Sequence, residues 1–134
     1  MKQLCLATGL FAAMACASLY AQSVDLRANV PFDFRMGKTL MPAGEYVIHH
    51  SSGVLTVRAQ SGSPAVFQMT LPESRNSASS KGALVFNRYG DSYFLAKIWA
   101  PDSRSGLSLL TSKREKELAS GSPVYSAAIP AQRK

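Results

Sequence analysis

His49 and His50 are the only histidines in the 134-residue chain, and they are adjacent. Successive residues of a strand project to opposite faces, so the pair cannot ligate one metal ion without a distorted backbone. As a general base, either would need a hydroxyl or carboxylate within hydrogen-bond reach. Serine is abundant, but the G-x-S-x-G elbow of serine hydrolases is absent. Asp33, Glu45, Asp91 and Asp102 fall near turn positions, where such residues ordinarily shape the backbone. No spacing among them selects an acid/base pair for glycoside hydrolysis. Gly37, Gly44 and Gly53 stand alone as turn residues and form no phosphate-cradling run. These residues predict a non-catalytic protein with no catalytic or metal-ligating set and no cofactor. The alternative is a small hydrolase-type enzyme in which His49 or His50 works with a carboxylate such as Asp33 or Asp91.

Two groups of side chains point instead to binding. After residue 112, Lys113, Arg114, Lys116, Arg133 and Lys134 oppose only Glu115 and Glu117. Such an excess suits contact with an anionic cell-envelope component or an acidic polysaccharide, or else simply keeps the tail solvated. The second group is aromatic. If Gly90-Asp91-Ser92 is the loop of a hairpin over 83–99, Tyr89 faces Tyr93, Asn87 faces Leu95, Val85 faces Lys97 and Ala83 faces Trp99. The other side then carries Leu84, Phe86, Arg88, Phe94, Ala96 and Ile98, so both faces are largely apolar and the second needs a cover. Either residues 107–129 pack over it, or Tyr89, Tyr93, Lys97 and Trp99 form an open platform for a sugar ring or an extended partner.

The elements that must position these residues are short strands. From Val24 to Arg35 apolar and polar residues alternate with period two, and Pro31 marks an edge strand or a bend. Further strands are expected at about 45–50, 54–59, 65–71, 83–89 and 93–99, with a long polar loop from Pro72 to Gly82. Leu107, Leu109 and Leu110 suit one more short strand, and Ser112-Lys113-Arg114-Glu115 fits a capping box opening a helix at about 112–119. Gly121, Pro123 and Pro130 predict an irregular basic tail over 121–134. The chain therefore reads as all-β: one small antiparallel β-sandwich or barrel-like domain over 22–120 with a short C-terminal helix.

Residues 1–21 form a separate unit, with Lys2 ahead of an apolar stretch from Leu4 to about Ala17 and small residues before Gln22. That is the pattern of a bacterial signal peptide, cut after Ala21 or after Ala17, and it predicts a periplasmic or secreted protein. A looser lipobox at Ala13-Met14-Ala15-Cys16 offers lipid anchoring at Cys16 instead. Cleavage after Ala21 removes Cys5 and Cys16, the only cysteines, and with them any thiol nucleophile, disulfide or thiolate metal site. The mature chain keeps 113 residues and a charge of +6, against +7 for the whole. Export argues against a nucleic-acid partner.

Val30-Pro31-Phe32-Asp33-Phe34, Met41-Pro42-Ala43-Gly44-Glu45-Tyr46, the run from Leu84 to Asp91 with Tyr93-Phe94-Leu95, and Ser112 to Ala119 occur in that order. Together they resemble a group of small exported proteins of unknown function from acidobacteria-type soil bacteria. In that group the pattern runs PF-x-F, LPAGEY, LVFHRYGD-x-YFL and S-x-x-E-x-E-L-A. Met41 stands where Leu is usual, and Asn87 where the group often has His. The resemblance implies export and a β-rich domain, but no reaction and no site residue. The functional expectation is thus an exported domain binding an envelope component, a saccharide or a small apolar ligand, or acting as a structural accessory.

Overall fold

Two tight turns show how the chain reverses. Ser52 and Gly53 both adopt positive φ (53° and 80°), the pairing a two-residue type I′ hairpin requires, and they join β4 (Gly44–Ser51) to β5 (Val54–Ala59). Gly90, at φ 63°, opens a two-residue loop with Asp91 between β7 (Gly82–Tyr89) and β8 (Ser92–Trp99). The structure, a computed structural model, describes residues 24–133; the signal-peptide reading, Cys5, Cys16 and Lys134 lie outside them. The remaining elements are β1 (Val24–Val30), β2 (Phe34–Met36), β3 (Thr39–Met41), β6 (Ala65–Ser79), β9 (Ser103–Leu109), α1 (Lys113–Ala119) and β10 (Tyr125–Arg133).

Eight strands pair in the cyclic order β1-β4-β5-β6-β9-β8-β7-β10, and β10 pairs with β1 to complete the ring. Every pairing in the ring is antiparallel, so the domain is a closed β-barrel rather than a sandwich. Closure leaves no sheet edge within the ring. The hairpin β2–β3 adds to the ring alongside β8, where Arg35 pairs in parallel with Phe94, and its Phe34, Met36 and Met41 are buried in the core. An eight-stranded barrel encloses just enough space for side chains. Here Leu26, Ile48, Leu55, Leu84, Phe86 and Ile98 occupy that space and are essentially inaccessible to solvent. Phe86 sits at its centre of aromatic contacts, edge-on to Phe32 and to Phe34.

Four expectations change. Residues 121–134 are not an irregular tail, because Tyr125–Arg133 is the strand that seals the barrel between β7 and β1. Ala127, Ile129 and Ala131 face the core, but small side chains and Pro130 give this alternation little weight in the sequence. The polar stretch after Pro72 is not a loop either: β6 runs on to Ser79, held by backbone pairing with β9. The alternating run from Val24 to Arg35 is not one strand: β1, interior to the ring rather than at an edge, stops at Val30, and the chain bends at Phe32, the second of the two readings of Pro31, before β2 begins. Finally, the shorter Gly90-Asp91 loop sets Tyr89 opposite Ser92 and Arg88 opposite Tyr93. A register shift after Val85 restores the expected Val85–Lys97 and Ala83–Trp99 pairs.

Candidate functional site

That register shift disperses the aromatic platform. A bulge exchanges the faces of a strand, so Tyr93 and Lys97, which simple alternation would place together, part company. Tyr93 stacks on Phe32 with ring centroids 3.8 Å apart and packs against the core. Tyr89 is buried outside that core, edge-on to Phe94. Lys97 pairs with Glu73 at 3.7 Å. Trp99 lies under the Arg75 guanidinium and over Gly106, where a Cβ atom would collide with its ring. Arg75 also donates to the carbonyls of Ser103 and Ala100, so Trp99 belongs to a structural clamp between β6 and the β8–β9 turn.

The expected cover over the outer face of β7 and β8 is α1. Ser112 is its N-cap and accepts from the Glu115 N–H, as the capping box requires. The Glu115 carboxylate does not complete the box. Instead, Asn87 Nδ2 and Tyr89 Oη both donate to its Oε2 at 2.9 Å, and Glu115 is buried to 5% exposure. Burial pushes the Tyr89 phenol up to about 12, and the carboxylate that accepts its proton adds to the effect. Val124 and Tyr125, by contrast, stay exposed and take no part in the cover.

This clasp sets α1 beside the β2–β3 hairpin and opens a cleft of about 590 Å³ between them. Arg35 and Lys38 line it from the hairpin, and Lys113 and Arg114 from the helix, against a single carboxylate, Glu117. None of the four cations has an ion-pair partner among the described residues. Gly37, at φ 59°, makes the turn that presents Lys38 and itself lines the cleft. Of the five basic residues singled out in the sequence, the fold brings together Lys113 and Arg114. Lys116 is exposed but does not line the cleft, and Arg133 donates to the Pro101 carbonyl elsewhere. Arg35 and Lys38 lie almost eighty residues from the helix, and the sequence carries no sign that they belong with it.

No family model, curated protein or solved structure matches the chain.

The histidines sit on another part of the barrel and have separate surroundings. His49 Nδ1 lies against Asp25 Oδ1 on the outer face, with both side chains about half exposed, beside a depression of about 220 Å³ that Thr56 and Arg58 also line. Thr70 Oγ1 is 3.3 Å from His50 Nε2, and burial lowers the His50 pKa, helped by the charge of His49. Neither histidine contacts Asp33 or Asp91. Asp33 accepts from the Ala43 N–H and so shapes a turn, and Asp91 sits at a hairpin tip. No cluster of three metal-ligating side chains occurs among the described residues. No helix among them is long and apolar enough to cross a membrane.

Proposed function

We propose that the mature protein is a non-catalytic, exported binding domain whose cleft between the β2–β3 hairpin and α1 holds an anionic unit of an acidic polysaccharide. The observation that supports this reading is the convergence of Arg35, Lys38, Lys113 and Arg114 on one cavity with only Glu117 opposing them. Cations drawn from two distant segments, without partners of their own, repel one another, and a bound anion removes that repulsion. Arginine adds planar donors matched to a carboxylate or sulfate group. A concave cleft about 590 Å³ in volume is shaped for a sugar unit, whereas a flat anionic lipid surface would be met by a convex display of charge. The resemblance to exported proteins supports the location.

Polygalacturonate binding by the exported domain tests the reading. Lys113→Glu and Arg114→Glu should each weaken binding by about tenfold or more, and Lys116→Glu, the same charge change outside the cleft, should weaken it far less. Affinity should fall steeply between ~0.1 M and ~1 M salt, where screening shortens from about 10 Å to about 3 Å. Equal losses from Lys113→Glu and Lys116→Glu would show diffuse attraction and overturn the cleft.

A hydrolase using His49 is the second reading, and the contact between His49 and Asp25 favours it. Release of product from a panel of ester and glycoside substrates, abolished by His49→Ala, would establish it in place of the first.

A further inference from the structure

We propose that the cavity on the opposite flank of α1 is a second, independent binding site, for a small hydroxylated primary ammonium ligand whose counter-ion is Glu115. Glu115 and Thr111 line this cavity of about 340 Å³, whereas Ser112, Lys113 and Arg114 line the basic cleft, so the two sites share a helix and no lining residue. Glu115 is the only charged residue among those described that the fold buries. Both of its protein donors, Asn87 and Tyr89, are neutral, and both reach the same oxygen, Oε2. Among the described residues Oε1 accepts nothing, and no cation is in ion-pair contact with either oxygen. Buried carboxylates are ordinarily paired, because an uncompensated charge away from water is strongly unfavourable.

The rest of the lining defines the ligand. Ser108, Thr111 and Ser126 place hydroxyls around the cavity, and Val85, Ala96 and Leu109 give it apolar walls. Hydroxyls exchange hydrogen bonds with ligand hydroxyls, and the carboxylate selects an ammonium among them. Lys97 also lines the cavity, but it is half exposed and its ion-pair contact is with Glu73 at 3.7 Å, outside the lining, so Glu115 is the buried charge that a ligand meets. On a protein of net charge +7, this buried carboxylate without a contacting cation among the described residues favours a cationic ligand over the anions the surface attracts. An amino sugar or a hydroxylated amine has these features.

Glucosamine, glucose and N-acetylglucosamine are the probes, titrated calorimetrically into the exported domain. Glucosamine should bind about tenfold or more tightly than the other two, since only it carries a free ammonium. Glu115→Gln keeps the side-chain shape and an acceptor for Asn87 and Tyr89, and should remove that preference. Ser108→Leu fills the cavity from β9, opposite Leu71 and Lys97 rather than the clasp residues, and should abolish glucosamine binding with the melting temperature preserved. Equal binding of glucose and glucosamine, no binding of any probe, or indifference to both variants would overturn the proposal. So would a fall in melting temperature for Lys97→Gln as large as for Glu115→Gln, since Lys97 would then be the counter-ion in solution.

Discussion

The wall of the barrel made by β7 and β8 is covered on both sides, and the wall made by β5 and β6 on one. On the first, Leu84, Phe86, Leu95 and Ile98 fill the interior, and Tyr89 and Phe94 are buried outside it beside α1 and β2. On the second, Leu55, Val57 and Val66 face inward, but Phe67, Met69 and Leu71 stand outward at 69%, 68% and 55% exposure. Both outer faces carry large apolar residues, so apolar content alone does not determine which one the chain covers. The difference lies in a polar contact: Glu115 finds Asn87 and Tyr89 on β7, and the outer face of β6 offers no equivalent pair. One desolvated carboxylate therefore fixes the helix, and the helix in turn holds Lys113 and Arg114 across from Arg35 and Lys38.

If the doubly covered wall is the structural centre, its largest inward side chain should show it. Phe86→Ala should cost about 3–5 kcal/mol in urea unfolding, since it removes a fully buried ring in contact with Phe32 and Phe34. A loss below about 1.5 kcal/mol would mean that the wall yields easily, and the contrast with β5 and β6 would fail. The clasp gives the next effect, as a pH dependence. Folding raises the Tyr89 pKa from 10.0 to about 12, so the unfolded chain loses this proton first. The clasp's stabilisation is then complete below pH 10 and declines as pH rises toward 12, by up to about 3 kcal/mol. Tyr46 is also raised, by burial and by Asp33, so the Tyr89 share is the difference between wild type and Tyr89→Phe. Parallel alkaline limbs for the two proteins would show that the phenol is not in the clasp.

Much of this architecture is legible in the residues, for reasons that differ by region. β4, β5, β7 and β8 alternate or run apolar over six to eight residues and each adjoins a Gly-containing turn, so local pattern and fold agree. The need for a cover over 83–99 follows from its two apolar faces, and the Ser112 cap is visible as a capping box. β10 and the far half of β6 are less visible, because their residues are small, polar or proline and pairing with neighbours already in place decides their state. The bulge in the β7–β8 pairing leaves no local signature, yet it moves Tyr93 and Lys97 to different faces and dissolves the platform. Of the basic site, only the helical half stands out in sequence. Arg35 and Lys38 join it through the parallel contact of β2 with β8, a long-range event that spacing does not encode.

The thin wall should respond weakly and with the opposite pH sense. His50, on β4 beside Thr70 of β6, has its pKa lowered by burial and by His49, so the folded state resists protonation. Its contribution is present above pH 6.5 and is lost as pH falls below that value, where the unfolded chain takes up the proton. His50→Gln should flatten the acid limb of a stability curve, and an unchanged limb would place the histidine in free solvent. The smallest effect belongs to Phe67. Full burial of a phenylalanine is worth about 1.5–3 kcal/mol, but at 69% exposure most of that is never gained, so Phe67→Ser should stay within about 0.5 kcal/mol of wild type. A loss above about 1.5 kcal/mol would mean that something covers the outer face of β6 in solution. The two walls would then be alike, and Glu115 would no longer explain why one apolar face is covered and the other is not.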